Sequence, residues 1–236
     1  MIYIFDVDGT LTEPRQRINE DFAKVFKKFC EENIVYLVTG SDKDKVYEQM
    51  GADILENYVV GVFSSMGNVL QQKGKTLYEN DFNFSQNLIN DLEKILSNYS
   101  LLKTGNHIEY RKGMINFSLI GRNATQEQRD LYAKDQEAQA IRKNVVEYLQ
   151  NIYKHEGLEF YIGGQISIDI QPRNKDKRQA VRWIKERMYS EQLTFFGDKT
   201  HEGGNDYTIA QAVREHGGKV FQVENWKDTE RFLKCS

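Results

Sequence analysis

Cysteine is scarce in this chain: of 236 residues only Cys30 and Cys235 carry thiols, one inside a helical apolar pattern and one at the tail. Two cysteines so placed match no metal-ligand spacing and cannot staple a disulfide scaffold, which points to a reducing, cytoplasmic setting. Long apolar runs are missing too. The longest, such as IVYLV at residues 34 to 38, fall far short of the roughly 20 residues that cross a bilayer, and no charged-then-apolar leader opens the sequence, so no membrane is expected. There is no basic excess: the net charge of -3 argues against a nucleic-acid partner and requires any basic site to be local. The four histidines, His107, His155, His201 and His216, stand at no ligand spacing.

What is present suits a globular enzyme. With 39% hydrophobic residues there is ample material for a core, and the length fits one core that carries a substantial insertion. Residues 2 to 5 read as a strand; Ile18, Phe22, Phe26 and Phe29 recur at helical spacing; residues 34 to 38 form a second strand. Ser41 with Asp44 resembles a capping box for a short helix ending at Gly51, and a third strand follows at residues 59 to 63. Near the C-terminus LTFF (193 to 196), a helix at 207 to 215, a strand at 219 to 223 and a last helix restore this style. Strands alternating with helices predict a parallel sheet with right-handed crossovers.

Between these halves the period changes. HIEYR and MINFSLIGR alternate apolar and polar residues about Lys112-Gly113, which predicts a hairpin with residue 111 opposite 114 and 109 opposite 116. Ile108, Tyr110, Ile115, Phe117 and Leu119 then share one face, and Glu109, Arg111, Asn116, Ser118 and Arg122 the other. One long helix is predicted over 126 to 153, capped by Thr125 with Gln128. The alternating stretch FYIGGQISIDI reads as one strand that places Ile166, Ile168 and Ile170 on the packed face and Gln165, Ser167 and Asp169 beside the polar residues. Gly163 and Gly164 read as a bulge within it. The expected architecture is therefore α/β, with a Rossmann-like parallel core over residues 1 to 80 and 179 to 236 and an inserted α+β cap of antiparallel sheet and helices over 81 to 178.

In an open parallel sheet, ligands bind beyond the carboxyl ends of the strands. There the sequence places Asp6 and Asp8, then Thr39, Gly40 and Ser41, then the segment GDKTHEGGND with Asp198 and Asp206. Each of these alone is also a turn or a helix cap. Together they make an oxygen-rich cup for a hard cation, with small and hydroxyl groups able to approach a phosphate.

Asp6-Val7-Asp8-Gly9-Thr10, the Thr39 to Ser41 turn, Asp176-Lys177-Arg178 and Gly197-Asp198 with Gly204-Asn205-Asp206 resemble the haloacid dehalogenase superfamily of phosphoryl-transfer enzymes. The resemblance implies Asp6 as nucleophile, Asp8 as general acid/base, Lys177 steadying the nucleophile, and Mg²⁺ held by Asp6, the carbonyl of Asp8 and Asp198. Over nearly the whole chain, DVDGTLTEPRQR, EYRKGMINFSLIGR, GGQISIDIQP, DKR and FFGDKTHEGGND are similar to the eukaryotic-type phosphomannomutases. That similarity implies that Arg15, Arg111, Arg122, Arg129, Ser167 and Asp169 bind sugar and distal phosphate. Arg129, a cation in the first turn of a helix against its dipole, independently suggests an anion to bind. Some positions depart from the family: Met66 before Gly67 where Asn is usual, Lys175 in place of a Trp, and AQAVRE in place of an acidic loop, which puts a second cation site in question.

The expected reaction is interconversion of hexose 1-phosphate and 6-phosphate, mannose before glucose, through an aspartyl-phosphate and a hexose 1,6-bisphosphate that also serves as activator. A homodimer through the cap is implied by resemblance. Two rival readings stand beside it: a sugar-phosphate phosphatase on the same scaffold, distinguished only by how well water is excluded, and a silent sugar-phosphate binding protein, for which the paired carboxylates and lysine would serve no purpose.

Overall fold

A computed structural model describes residues 1–99 and 102–235. It divides into two compact units, Met1–Asn80 with Asn174–Ser236, and Asp81–Arg173.

In the first unit β1 (Ile2–Phe5), β2 (Ile34–Val38), β3 (Gly61–Ser64), β10 (Leu193–Gly197) and β11 (Lys219–Gln222) run parallel, and β4 (Val69–Gln72) and β5 (Lys75–Glu79) extend the sheet antiparallel in the order β11-β10-β1-β2-β3-β4-β5. The β4–β5 pair, unforeseen in the sequence, turns on Lys73 and Gly74, both at positive φ, the twist that a two-residue hairpin requires. Both sheet faces are apolar because helices cover both. Phe5, Val35, Leu37, Val62 and Phe196 pack under α1 (Glu20–Glu32), α2 (Lys43–Met50) and α8 (Trp226–Cys235). Ile2, Ile4, Tyr36, Val38 and Phe63 pack under α6 (Arg178–Arg187) and α7 (Tyr207–Glu215). Phe5 pairs with both Phe196 and Leu37, so the loops after β1, β2 and β10 leave from one edge.

Two expectations for this unit are corrected. Asp42, and not Ser41, caps α2: its carboxylate accepts from Lys45 N, while the Ser41 hydroxyl turns to Asp8. The segment Asn174–Arg178 belongs to this unit and not to the insertion, because Lys177 is bonded to Asp6 and Asp206.

The second unit has a four-stranded antiparallel sheet, β6 (Ile108–Arg111), β7 (Met114–Ser118), β9 (Ser167–Pro172) and β8 (Leu158–Gly163), in that spatial order. The hairpin register is the one read from alternation, Glu109 opposite Asn116 and Arg111 opposite Met114. Ile115, Phe117, Ile168 and Ile170 pack with Leu88 and Leu92 of α3 (Gln86–Asn98) and Val145 and Leu149 of α5 (Gln136–Tyr153). Tyr110, opposite Ile115, keeps that face but is 62% exposed, since β6 is an edge strand. The predicted single helix over 126 to 153 is two: α4 (Gln126–Lys134) carries the Thr125–Gln128 capping box, and Asp135 stops it and caps α5 by accepting from Glu137 N and Ala138 N. The stretch 160 to 170 is likewise two strands. Gly164, at φ 44, turns β8 back onto β9, so the glycine pair makes a hairpin and not a bulge.

Candidate active site

Asp6 follows β1 directly into a tight turn in which Leu11 N and Thr12 N both donate to Val7 O, and Thr229 Oγ1 of α8 fastens the turn by donating to Thr10 O at 2.7 Å. Gly9 sits there at φ 83; a Cβ on it would come within 2.5 Å of Asp198 Oδ2, so only glycine lets the β1 and β10 loops meet. Asp6, Asp198 and Asp206 thereby offer one oxygen each within 4.8 Å of one another. Lys177 Nζ, fully buried, donates to Asp6 Oδ1 at 2.5 Å and to Asp206 Oδ1 at 2.7 Å.

This cup holds three carboxylates against one fully buried ammonium, with the part-exposed Lys199 Nζ 3.7 Å from Asp198 Oδ2. Burial, then the nearby Asp206 charge, pushes the Asp6 carboxyl well above its ordinary range, with Lys177 opposing. Burial raises Asp198 to about 6, opposed by Lys199 and reinforced by Asp206. For Lys177, burial works against the charge, but Asp206 and Asp6 override it and hold the ammonium more firmly protonated than usual. Excess negative charge in a dry, oxygen-only pocket is the environment that a hard divalent cation relieves, so the donor set fits such an ion. Among the described residues it is the one cluster of three such ligands. The AQAVRE segment is part of α7, with Ala210 and Val213 buried in the second core.

Asp8 points elsewhere. Its Oδ1 accepts from Arg15 N at 2.8 Å and Gln49 Nε2 at 2.9 Å, and Ser41 Oγ lies 3.3 Å from Oδ2. Thr39 Oγ1 accepts from Ser41 N at 3.0 Å, and the β3 loop braces this turn: Met66 N donates to Thr39 O and Ser65 N to Ser41 O. Ser65, Met66 and Gly67 all hold positive φ, so the brace is strained backbone.

In the second unit the polar face gathers its residues. Asn116 Nδ2 donates to Asp169 Oδ1 at 2.6 Å, and Arg122 Nη1 donates to Ser167 Oγ at 2.6 Å. Glu109 pairs with Arg111 and, at 3.3 Å, with Arg122 Nε. Arg129 is buried as well, and its guanidinium is directed to the backbone carbonyls of Ala124 and Arg122, so two of its donors fix the loop that carries Arg122.

Sequence reasoning did not single out Gln49, although one i, i+3 relation to Val46 on the buried side of α2 marked it as facing inward. The sequence places Asp206 in the cup but not among the cation ligands; its proximity to Asp6 and Asp198 and its contact with Lys177 show that position.

The parallel core with acidic loops at one sheet edge, interrupted by an α+β unit, defines a haloacid dehalogenase-type protein. Solved structures share that fold: the C-terminal domain of Candida albicans trehalose-6-phosphate phosphatase superposes with TM-score 0.70 at 16% identity, covering 99% of this chain and 90% of that one. Thermoplasma acidophilum 0175 gives 0.64 at 18% identity, covering 99% and 96%. The family model for eukaryotic phosphomannomutase matches residues 22–235, and the chain belongs to that family. The phosphomannomutase of Spinacia oleracea is 38% identical over 99% of this chain and 96% of its own length, and that of Galdieria sulphuraria 37% over 94% and 90%. The protein is thus an enzyme of the phosphotransferase and isomerase type.

Proposed function

We propose that the protein interconverts mannose 1-phosphate and mannose 6-phosphate, with glucose phosphates as second substrates, and that hexose 1,6-bisphosphate is both intermediate and activator. The observation that carries this reading is the Asp6–Lys177–Asp206 arrangement beside Asp198: a nucleophilic carboxylate held by a buried ammonium in a pocket suited to a cation. Asp6, Asp198 and the carbonyl of Asp8 would hold Mg²⁺, with Asp206 alongside, and the ion supplies neutralisation of phosphoryl charge. Asp6 attacks phosphorus; Lys177 fixes the orientation of its carboxylate and faces the phosphoryl oxygens, as do the groups of Thr39, Gly40 and Ser41. Asp8 gives a proton to the departing sugar oxygen and takes one from the incoming hydroxyl. Arg15, Arg111, Arg122, Ser167 and Asp169 recognise the sugar and the phosphate that is not reacting, the arginines through charge-assisted bonds, and Arg129 acts through Arg122. We further propose a cytoplasmic homodimer formed through the second unit. No helix among the described residues is long and apolar enough to cross a membrane.

The test supplies mannose 1-phosphate, Mg²⁺ and trace glucose 1,6-bisphosphate. Mannose 6-phosphate as the main product supports the mutase; free phosphate as the main product makes the protein a phosphatase, and absence of both makes it a binding protein. Asp6→Asn must abolish labelling of the enzyme by radioactive bisphosphate.

A further inference from the structure

Gln49 belongs to none of the groups assigned above, yet it is 4% exposed and its amide reaches the loop after β1. Nε2 donates to Asp8 Oδ1 at 2.9 Å and to Thr12 Oγ1 at 3.1 Å, and its own carbonyl accepts from Ile18 N at 2.9 Å. A single residue of α2 thus spans residues 8 to 18. The second donor to Oδ1 is the N–H of Arg15, whose φ of 65 is a strained value for a side-chain-bearing residue. Both firm donors therefore converge on one oxygen of Asp8. The other, Oδ2, has among the described residues only the Ser41 hydroxyl, at 3.3 Å.

We infer that Gln49 is the positioning residue of the acid/base: it anchors Asp8 through Oδ1 so that Oδ2 is the oxygen that exchanges the proton. This rests on the mutase reading above. In the transfer to sugar, the hydroxyl oxygen forms its bond to phosphorus, the bond between phosphorus and the Asp6 oxygen breaks with its electron pair returning to the carboxylate, and the hydroxyl proton passes to Asp8 Oδ2. In the reverse direction Oδ2 returns that proton to the departing sugar oxygen. A shared amide donor to Oδ1 limits rotation of the carboxylate, which keeps Oδ2 on line.

The test compares two donors of the phosphoryl group in single turnover, with wild type and Gln49→Met, a variant of similar length that lacks the amide. p-Nitrophenyl phosphate has a leaving group that needs no proton; hexose 1,6-bisphosphate has one that does. Labelling of Asp6 from p-nitrophenyl phosphate should change by less than about twofold, while labelling from the bisphosphate should slow by ~30-fold or more, a part of the ~10²–10⁴ that a positioned acid contributes, since Asp8 itself remains. Equal slowing with both donors, or slowing with neither, overturns the inference. Gln49→Asn, one methylene too short to hold Oδ1, must reproduce the same split if the Met variant does not fold. Wild type that is never labelled at Asp6 by either donor instead removes the mutase reading, and the role of Gln49 falls with it.

Discussion

The two units present their polar groups in opposite ways. In the first, Asp6, Asp8 and Asp198 stand in loops just beyond strands and Asp206 at the N-cap of α7, and the fully buried ammonium between Asp6 and Asp206 belongs to Lys177, 171 positions along the chain from Asp6. In the second, Glu109, Arg111, Asn116, Ser167 and Asp169 stand on the strands themselves, with Asn116 and Asp169 paired across β7 and β9, while Arg122 reaches Ser167 from the loop after β7. Loops can fold into close, strained approach, which suits a charge cluster that must not relax. Strand faces give fixed spacing at low strain, which suits recognition of a ligand by several separate hydrogen bonds. The strain is distributed accordingly: Arg15, Ser65, Met66, Lys73 and Asn174 hold positive φ in the first unit, four of them of types that tolerate it poorly, whereas Asn106, of a type that tolerates it, is the one such non-glycine among the described residues of the second.

Lys177→Met breaks the comparison most severely. It leaves buried carboxylates without their counter-charge, and should cost about 3–5 kcal/mol in urea unfolding of the EDTA-treated protein, as removal of one partner from a buried pair does. An unchanged unfolding midpoint would mean that the cup does not depend on the lysine for its charge balance.

The counterpart in the second unit is Gly163→Ala. A Cβ there would sit 2.4 Å from Asp169 Oδ2, so the carboxylate must move away from Asn116. With one charge-assisted hydrogen bond displaced, KM for mannose 1-phosphate should rise about tenfold or more with kcat much less affected. A selective fall in kcat would contradict a recognition role for this face.

The burial of Asp198 in the cup also predicts a pH signature. The carboxyl of Asp198 is raised from 3.8 to about 6 in the fold. Its protonation therefore stabilises the metal-free protein fully below about pH 3.8, and that contribution is lost as pH rises through about 6. In EDTA, Asp198→Asn should gain unfolding free energy relative to wild type between pH 4 and 7, and at pH 7 added Mg²⁺ should stabilise wild type but not the variant. A wild-type-minus-variant difference that is flat with pH would remove the burial-driven shift of Asp198.

The smallest effect concerns the strained brace. Met66→Asn places a residue that accepts positive φ at φ 60, and should raise stability by roughly 1 kcal/mol, read from thermal unfolding. No gain would show that the Met66 side chain, 1% exposed, offsets the backbone cost by packing.

Much of this was legible in the chain. Asp6 and Asp8 stood out because carboxylates directly after an apolar strand need a reason to be there, and the polar face of the second unit followed from alternation about Lys112-Gly113. Other features were hidden for identifiable reasons. The break at Asp135 lies inside a continuous helical apolar period, so periodicity could not show that an aspartate would cap a new helix. The hairpin at Gly164 keeps the alternation of both its strands and so reads as one. Gln49 has no motif, and its partners lie 37 and 41 positions away.

By itself the sequence determined the strand and helix periods, the two faces of the inserted sheet and the acidic residues at strand ends, because these depend on spacing along the backbone and on the cost of burying charge. The tertiary structure alone decided which acids share a pocket, that Asp206 and Lys177 complete it, and that Gln49 grips Asp8. Such partnerships depend on loops meeting in space across long stretches of chain, and local periodicity carries no record of them.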